Sequence, residues 1–311
     1  MLNWPVMMMS AVISATPGQV APPAATQATP EEAVRLEDVV VTSRRLRDEA
    51  GAFVEELAAP PPNRGLARWR GAVCIGVVNL SESVARPLID HIATVANAYD
   101  VRIGAPGCSP NVVIIFTDDA PGLATALVSR EPGAFRVGWS RKLDRGKEAL
   151  DAFQVSDGPV RWWHISMPVI GATGRRAIRM PGDEGPIYVP GEGRVNNGRP
   201  ISDQLSKVMI IVDMTKVEGT SLPLLGDYLA MVALAQVDPE GDTGRFDTVL
   251  NLFDGHGRAA GLSGWDRAYL SSLYGAHWER VDPYTHASAI VRDLRRAERE
   301  GDDVAVVGPT K

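Results

Sequence analysis

Few side chains in this chain of 311 residues are of types and spacings that do chemistry. The most suggestive group is Asp254-Gly255-His256-Gly257, a carboxylate and an imidazole on a glycine-rich turn; such a pair can hold a metal ion, but it supplies only two ligands. His164 and His277, the histidines that would have to complete it, lie far away in sequence. Asp227 is an acid inside an apolar stretch and could serve as a base only if something activated a water beside it. Serine nucleophiles lack their usual turn, since no Gly-x-Ser-x-Gly occurs. The two cysteines, Cys74 and Cys108, have no further thiols near them to make a zinc ribbon and are expected to form a disulfide, constraining the unfolded chain by about 3–4 kcal/mol. Arg175, Arg176, Arg179 and Arg194 stand in a Gly/Pro/Asn-rich stretch, 171–200, expected to be a long surface excursion; they could receive a carboxylate or phosphate, or simply be solvated.

The elements that must position these residues are legible in part. Residues 72–80 read as a buried strand. The helix of 83–99 carries Val84, Leu88, Ile92, Val95 and Tyr99 on one face, with Pro87 placed in its first turn and His91 as a hydrogen-bonded or solvated histidine beside that face. Strands follow at 101–103 and 111–117, then short helices at 120–130 and 146–153. In the strand 160–166, alternation puts Trp162, His164 and Ser166 on one face and Trp163 and Ile165 on the other. Val208–Val212 is a buried strand, and Leu222–Gln236 is apolar all round, as a central buried helix is. Ser263 and Asp266 have the spacing of a capping box opening one more helix. A last helix spans 288–300, with Gly301 as its C-cap.

This order ends in Gly261-Leu262-Ser263-Gly264-Trp265-Asp266-Arg267-Ala268-Tyr269-Leu270-Ser271-Ser272-Leu273-Tyr274-Gly275. Leu262, Ser263, Asp266, Leu270, Leu273, Tyr274 and Gly275 resemble the closing segment of zincin metallopeptidases of the matrixin type, and the strand, buried helix and loop before them come in the zincin order. The resemblance implies an α+β fold, a zincin-like mixed sheet with a central buried helix. It also implies that this helix should carry His-Glu-x-x-His, two imidazoles at i and i+4 on one metal with glutamate as base. Here those five residues are Gly226-Asp227-Tyr228-Leu229-Ala230. Gly226 and Ala230 have no donor, and an aspartate without a metal generates no hydroxide. The expectation is a domain without a catalytic centre or cofactor, whose small residues leave a vacant groove lined by Asp227, Asp254 and His256. The alternative is a metal-dependent hydrolase using unusual ligands around His256, with Asp254, His164 or His277.

Nearer the N-terminus, Leu36-Glu37-Asp38-Val39-Val40-Val41-Thr42-Ser43-Arg44-Arg45 resembles the TonB box of outer-membrane receptors and is expected as an extended strand, either docked on its own domain or added to a partner's sheet. The latter would make the chain an envelope assembly protein. Met1–Ala25 contains an apolar run, Trp4–Ala15, and small-residue sites at Ile13-Ser14-Ala15 and Gln19-Val20-Ala21, as a signal peptide does, although no Lys or Arg precedes Arg35. The organisation expected is a signal peptide at 1–25, a linker with the strand at 26–67, the metallopeptidase-like domain at 68–280, and a helix and tail at 281–311. A net charge of -6 offers no general attraction to nucleic acid, and no later run is apolar enough to span a membrane. These features imply an exported, periplasmic protein that binds a peptide or protein partner.

Overall fold

The structure is a computed structural model. It describes residues 30–61, 64–136, 145–170, 174–177, 188–189, 193–194, 201–255, 259–275 and 283–306. The expected signal peptide, His256, His277 and Arg179 lie outside them. The chain divides into two compact units, Met1–Ser43 and Arg44–Lys311.

The elements in order are α1 (Pro30–Leu57), β1 (Ala67–Arg68), β2 (Ile75–Val78), α2 (Glu82–Asn97), β3 (Val112–Thr117), α3 (Ala120–Arg130), α4 (Pro132–Phe135), α5 (Gly146–Val155) and β4 (Val160–Ile170). There follow β5 (Tyr188–Val189), β6 (Gly193–Arg194), β7 (Ile201–Asp213), α6 (Leu222–Leu234), a 3-10 turn (Val249–Phe253), α7 (Gly264–Tyr274) and α8 (Pro283–Val306). The fold is mixed α and β, with a mixed sheet. β2, β3 and β7 run parallel, β1 is also parallel to β7, and β4 is antiparallel to it. β4 pairs with residues 201–212 of β7, which leaves the opposite edge to β1 and β3 in tandem.

Two expectations fail at the N-terminal side. Leu36–Arg45 is helical, part of α1, so it offers no strand for docking. Nor does the folded unit wait until Arg68: Ala50, Phe53, Val54 and Leu57 lie in the main core, with Leu46 packed against it. Their spacing is that of one helical face, and it outweighs the extended preference of Val39-Val40-Val41. Arg64 then fastens the segment after α1 to the sheet: its guanidinium pairs with buried Asp203 on β7 at 2.6 Å, and Gly65 N–H donates to the same carboxylate.

Smaller differences have local causes. Pro87 falls in the second turn of α2, where its missing N–H is tolerated on an exposed face. β7 begins seven residues before the apolar run, because polar Ser202 and Asp203 are buried with partners rather than solvated. α8 continues through Gly301 to Val306, so that glycine is no C-cap. Cys74 and Cys108 form the expected disulfide, tying the 104–110 turn to the start of β2. A Cβ on Gly104 would lie 2.7 Å from Cys108 Sγ, which is why only glycine fits there.

Candidate functional site

The helix α6 follows its N-cap Ser221 and has Pro223 in its first turn, where a missing N–H costs nothing. From Leu225 onward nearly every residue is buried, as a central helix requires. Its last carbonyls would be orphaned in the core, and side chains from three other segments supply the donors. His164 Nε2–H donates to the Val232 carbonyl at 2.7 Å, Trp69 Nε1–H to Ala233 at 2.8 Å, and the Tyr274 hydroxyl to Leu234 at 2.5 Å. Tyr274 belongs to the closing segment read in the sequence, so one job of that segment is to finish α6. Burial pushes His164 down to about 4, which keeps the ring neutral and donating.

β4 lies along α6 with the faces read from its alternation. Trp162 meets Tyr228 edge to face and donates to the Val237 carbonyl, while Ser166 accepts from Gln236. Trp163, on the other face, donates to Phe135 and packs with Phe153.

The two small residues of α6 do not open onto a groove. Ala230 is completely buried in the core. Gly226 faces α2, and a Cβ built on it would sit 2.6 Å from Cδ2 of His91. Asp227 is engaged as well: His91 Nε2–H donates to its Oδ1 at 2.7 Å, and Leu262 N–H donates to Oδ2 at 3.1 Å. Gly261, at φ +142°, lets the chain pass that carboxylate, since a Cβ there would lie 2.7 Å from Oδ2. The expected vacancy is therefore filled by an imidazole from α2, and Asp227 joins α2, α6 and the approach to α7. Sequence reasoning placed His91 beside a helix face but had no signal for its partner, 136 residues away. Gly226→Ala should lower stability by about 1 kcal/mol in urea unfolding: overpacking against the imidazole costs roughly 1–3 kcal/mol, offset in part by up to about 1 kcal/mol of helix propensity.

An opening does exist, one residue further round the helix. A cavity of about 330 Å³ lies where β4 begins, lined by Phe153, Arg161, Trp162, Tyr228, Phe253 and Asp254 among others. Phe253 packs on Tyr228 with ring centroids 5.2 Å apart, making an apolar wall, and burial raises the Tyr228 hydroxyl's pKa. Asp254 and Glu240 bring acids to the lining. Asp227 and Asp254 are thus not brought together: one is clasped by His91, the other borders the cavity. Arg175 and Arg176 are exposed. Among the described residues no group of three or more His, Cys, Asp or Glu is placed to hold a metal ion. Searches of family models, curated proteins and solved structures return no match to this chain.

Proposed function

We propose that this chain is an exported, periplasmic zincin-like protein without peptidase chemistry, which binds an extended peptide segment along β4. The ancestry is supported by the order β7, α6, 3-10 turn and capped α7, and by Tyr274 reaching back to finish α6. The bonded Cys74–Cys108 pair suits an oxidising compartment, and among the described residues no helix is long and apolar enough to cross a membrane.

The observation that carries the binding reading is the side of β4 turned away from β7; its far end is taken, with Ile170 N–H donating to the Arg175 carbonyl and Ala177 N–H to Pro168, and the stretch before it has no described partner strand. The Pro159 carbonyl accepts from Asp213 N–H, and Arg161 is paired with Ile211, so the odd-numbered residues turn their backbone groups toward β7. Val160, Trp162 and His164 then turn theirs outward, where no described strand pairs with them. Main-chain groups on such an edge accept an added strand whatever has become of a neighbouring metal site.

The test is twofold. Purified protein should contain no stoichiometric zinc, and hydrogen exchange should slow at Trp162 and His164 when an extended peptide binds. One tightly held zinc per chain, with hydrolysis abolished by chelator and by His256→Ala, would replace this reading with the hydrolase. Peptide-induced protection confined to segments away from β4 would remove the binding mode.

A further inference from the structure

From the cavity at the start of β4 we infer that the bound segment is a peptide's free C-terminus, with its terminal carboxylate taken by Arg161 and its last, apolar side chain by Trp162, Tyr228 and Phe253. This rests on strand addition along β4, as proposed above, and names the class of peptide.

Arg161 is 2% exposed, so its bonding must be accounted for group by group. Nη1 donates to the Gln154 carbonyl at 3.1 Å and more weakly to Phe153 at 3.4 Å, at the end of α5. Among the described residues Nε and Nη2 have no partner. Those two nitrogens form one edge of the guanidinium, the edge whose paired N–H groups match the two oxygens of a carboxylate. Left unmade, they are buried donors at full desolvation cost. Nearby acids do not fill the role: Asp213 is bonded by Thr215 and Asp157 by Lys216, and neither pairs with Arg161. The two nitrogens are closed to water, and Arg161 is among the residues that line the cavity, so a carboxylate reaches them only as the lining gives way on binding.

Direction agrees with this assignment. A strand added antiparallel beside Val160–His164, short of the Pro168–Ile170 end that already bonds Arg175 and Ala177, runs toward Val160 and delivers its C-terminus where the cavity opens. At about 330 Å³ the space is at the small end of ligand pockets, fitting one large side chain with its carboxylate. Three aromatic side chains favour an apolar residue there, and Asp254 and Glu240 disfavour a second negative charge.

The experiment titrates the full chain calorimetrically with two peptides, acetyl-Thr-Val-Thr-Val-Phe as the free acid and as the amide, and with N-acetylphenylalanine. The acid should bind about 10- to 100-fold more tightly than the amide, the range expected of charge-assisted hydrogen bonds. That ratio should fall to near one in Arg161→Gln and recover partly in Arg161→Lys. If Arg161→Gln does not fold, the wild-type chain still decides: the Arg161 Nε–H resonance should shift with the acid and not with the amide. Equal binding of acid and amide overturns the carboxylate site while leaving strand addition standing. If neither peptide binds, strand addition fails; N-acetylphenylalanine binding with Arg161 dependence then sustains the carboxylate site alone, and its absence overturns that too.

Discussion

Asp266→Ala should destabilise the fold by about 3–5 kcal/mol, whereas Asp266→Asn should cost only about 1 kcal/mol. Asp266 is fully buried and carries two jobs at once. Its Oδ2 accepts from Val249 N–H at 2.8 Å and from Ser263 N–H at 2.9 Å, which satisfies the start of the 3-10 turn and the N-cap of α7 together. Its Oδ1 accepts from the Thr248 hydroxyl at 2.5 Å. Alanine leaves two backbone donors and a hydroxyl without an acceptor. Asparagine can place its one oxygen where Oδ2 stands and its amide N–H₂ toward Thr248, whose hydroxyl turns to accept. It also removes a buried charge, since burial pushes the Asp266 carboxyl above its ordinary range against the bonds that pull it down. Urea midpoints at neutral pH check both values; equal losses for Ala and Asn would show that the charge, rather than the acceptor geometry, is what matters.

This residue also illustrates what could be read from the sequence. Ser263 and Asp266 are three apart ahead of an amphipathic run, and the capping box they announce is present in full. The helix Ala120–Arg130 and the two faces of β4 were legible for the same reason: the information is local, carried by period and by the residues at the ends. Where a partner lay far along the chain the reading failed. Polar Ser202, Asp203 and Gln204 hid the first half of β7, because nothing near them announces Arg64, 139 residues away from Asp203. Gly226 was read as a lost ligand, whereas its physical reason is room for His91. Asp227 was read as lining a vacant groove, whereas its carboxylate is held by His91 and by Leu262 N–H, joining α2 to the Gly261 loop. Arg161 drew no notice at all: a single arginine at a strand start looks solvated until its burial and its unpaired edge are seen.

His164 should make the fold acid-sensitive in a window its position defines. The neutral imidazole donates to Val232 at the end of α6, and burial first, with Arg145 contributing, lowers its pKa from an ordinary 6.5 to about 4. Above pH 6.5 the ring is neutral in both folded and unfolded chains, so the full stability is present. Between that value and about 4 the unfolded chain takes up a proton that the folded chain refuses, and stability falls as pH falls. The loss from this one residue is about 3 kcal/mol, which is a large part of a typical domain's margin. Asp266 acts in the opposite sense, because a carboxyl raised by burial binds protons more readily in the folded chain; its effect must be held constant. Comparing wild type with His164→Gln does so. Glutamine can still donate to Val232 but does not titrate, so unfolding midpoints measured from pH 7 to pH 4 should fall less steeply in the variant by about that same 3 kcal/mol. Parallel curves would mean that the imidazole is protonated in the folded chain, with a carboxylate close enough to compensate it, and the contact between β4 and α6 would have to be redrawn around that charge.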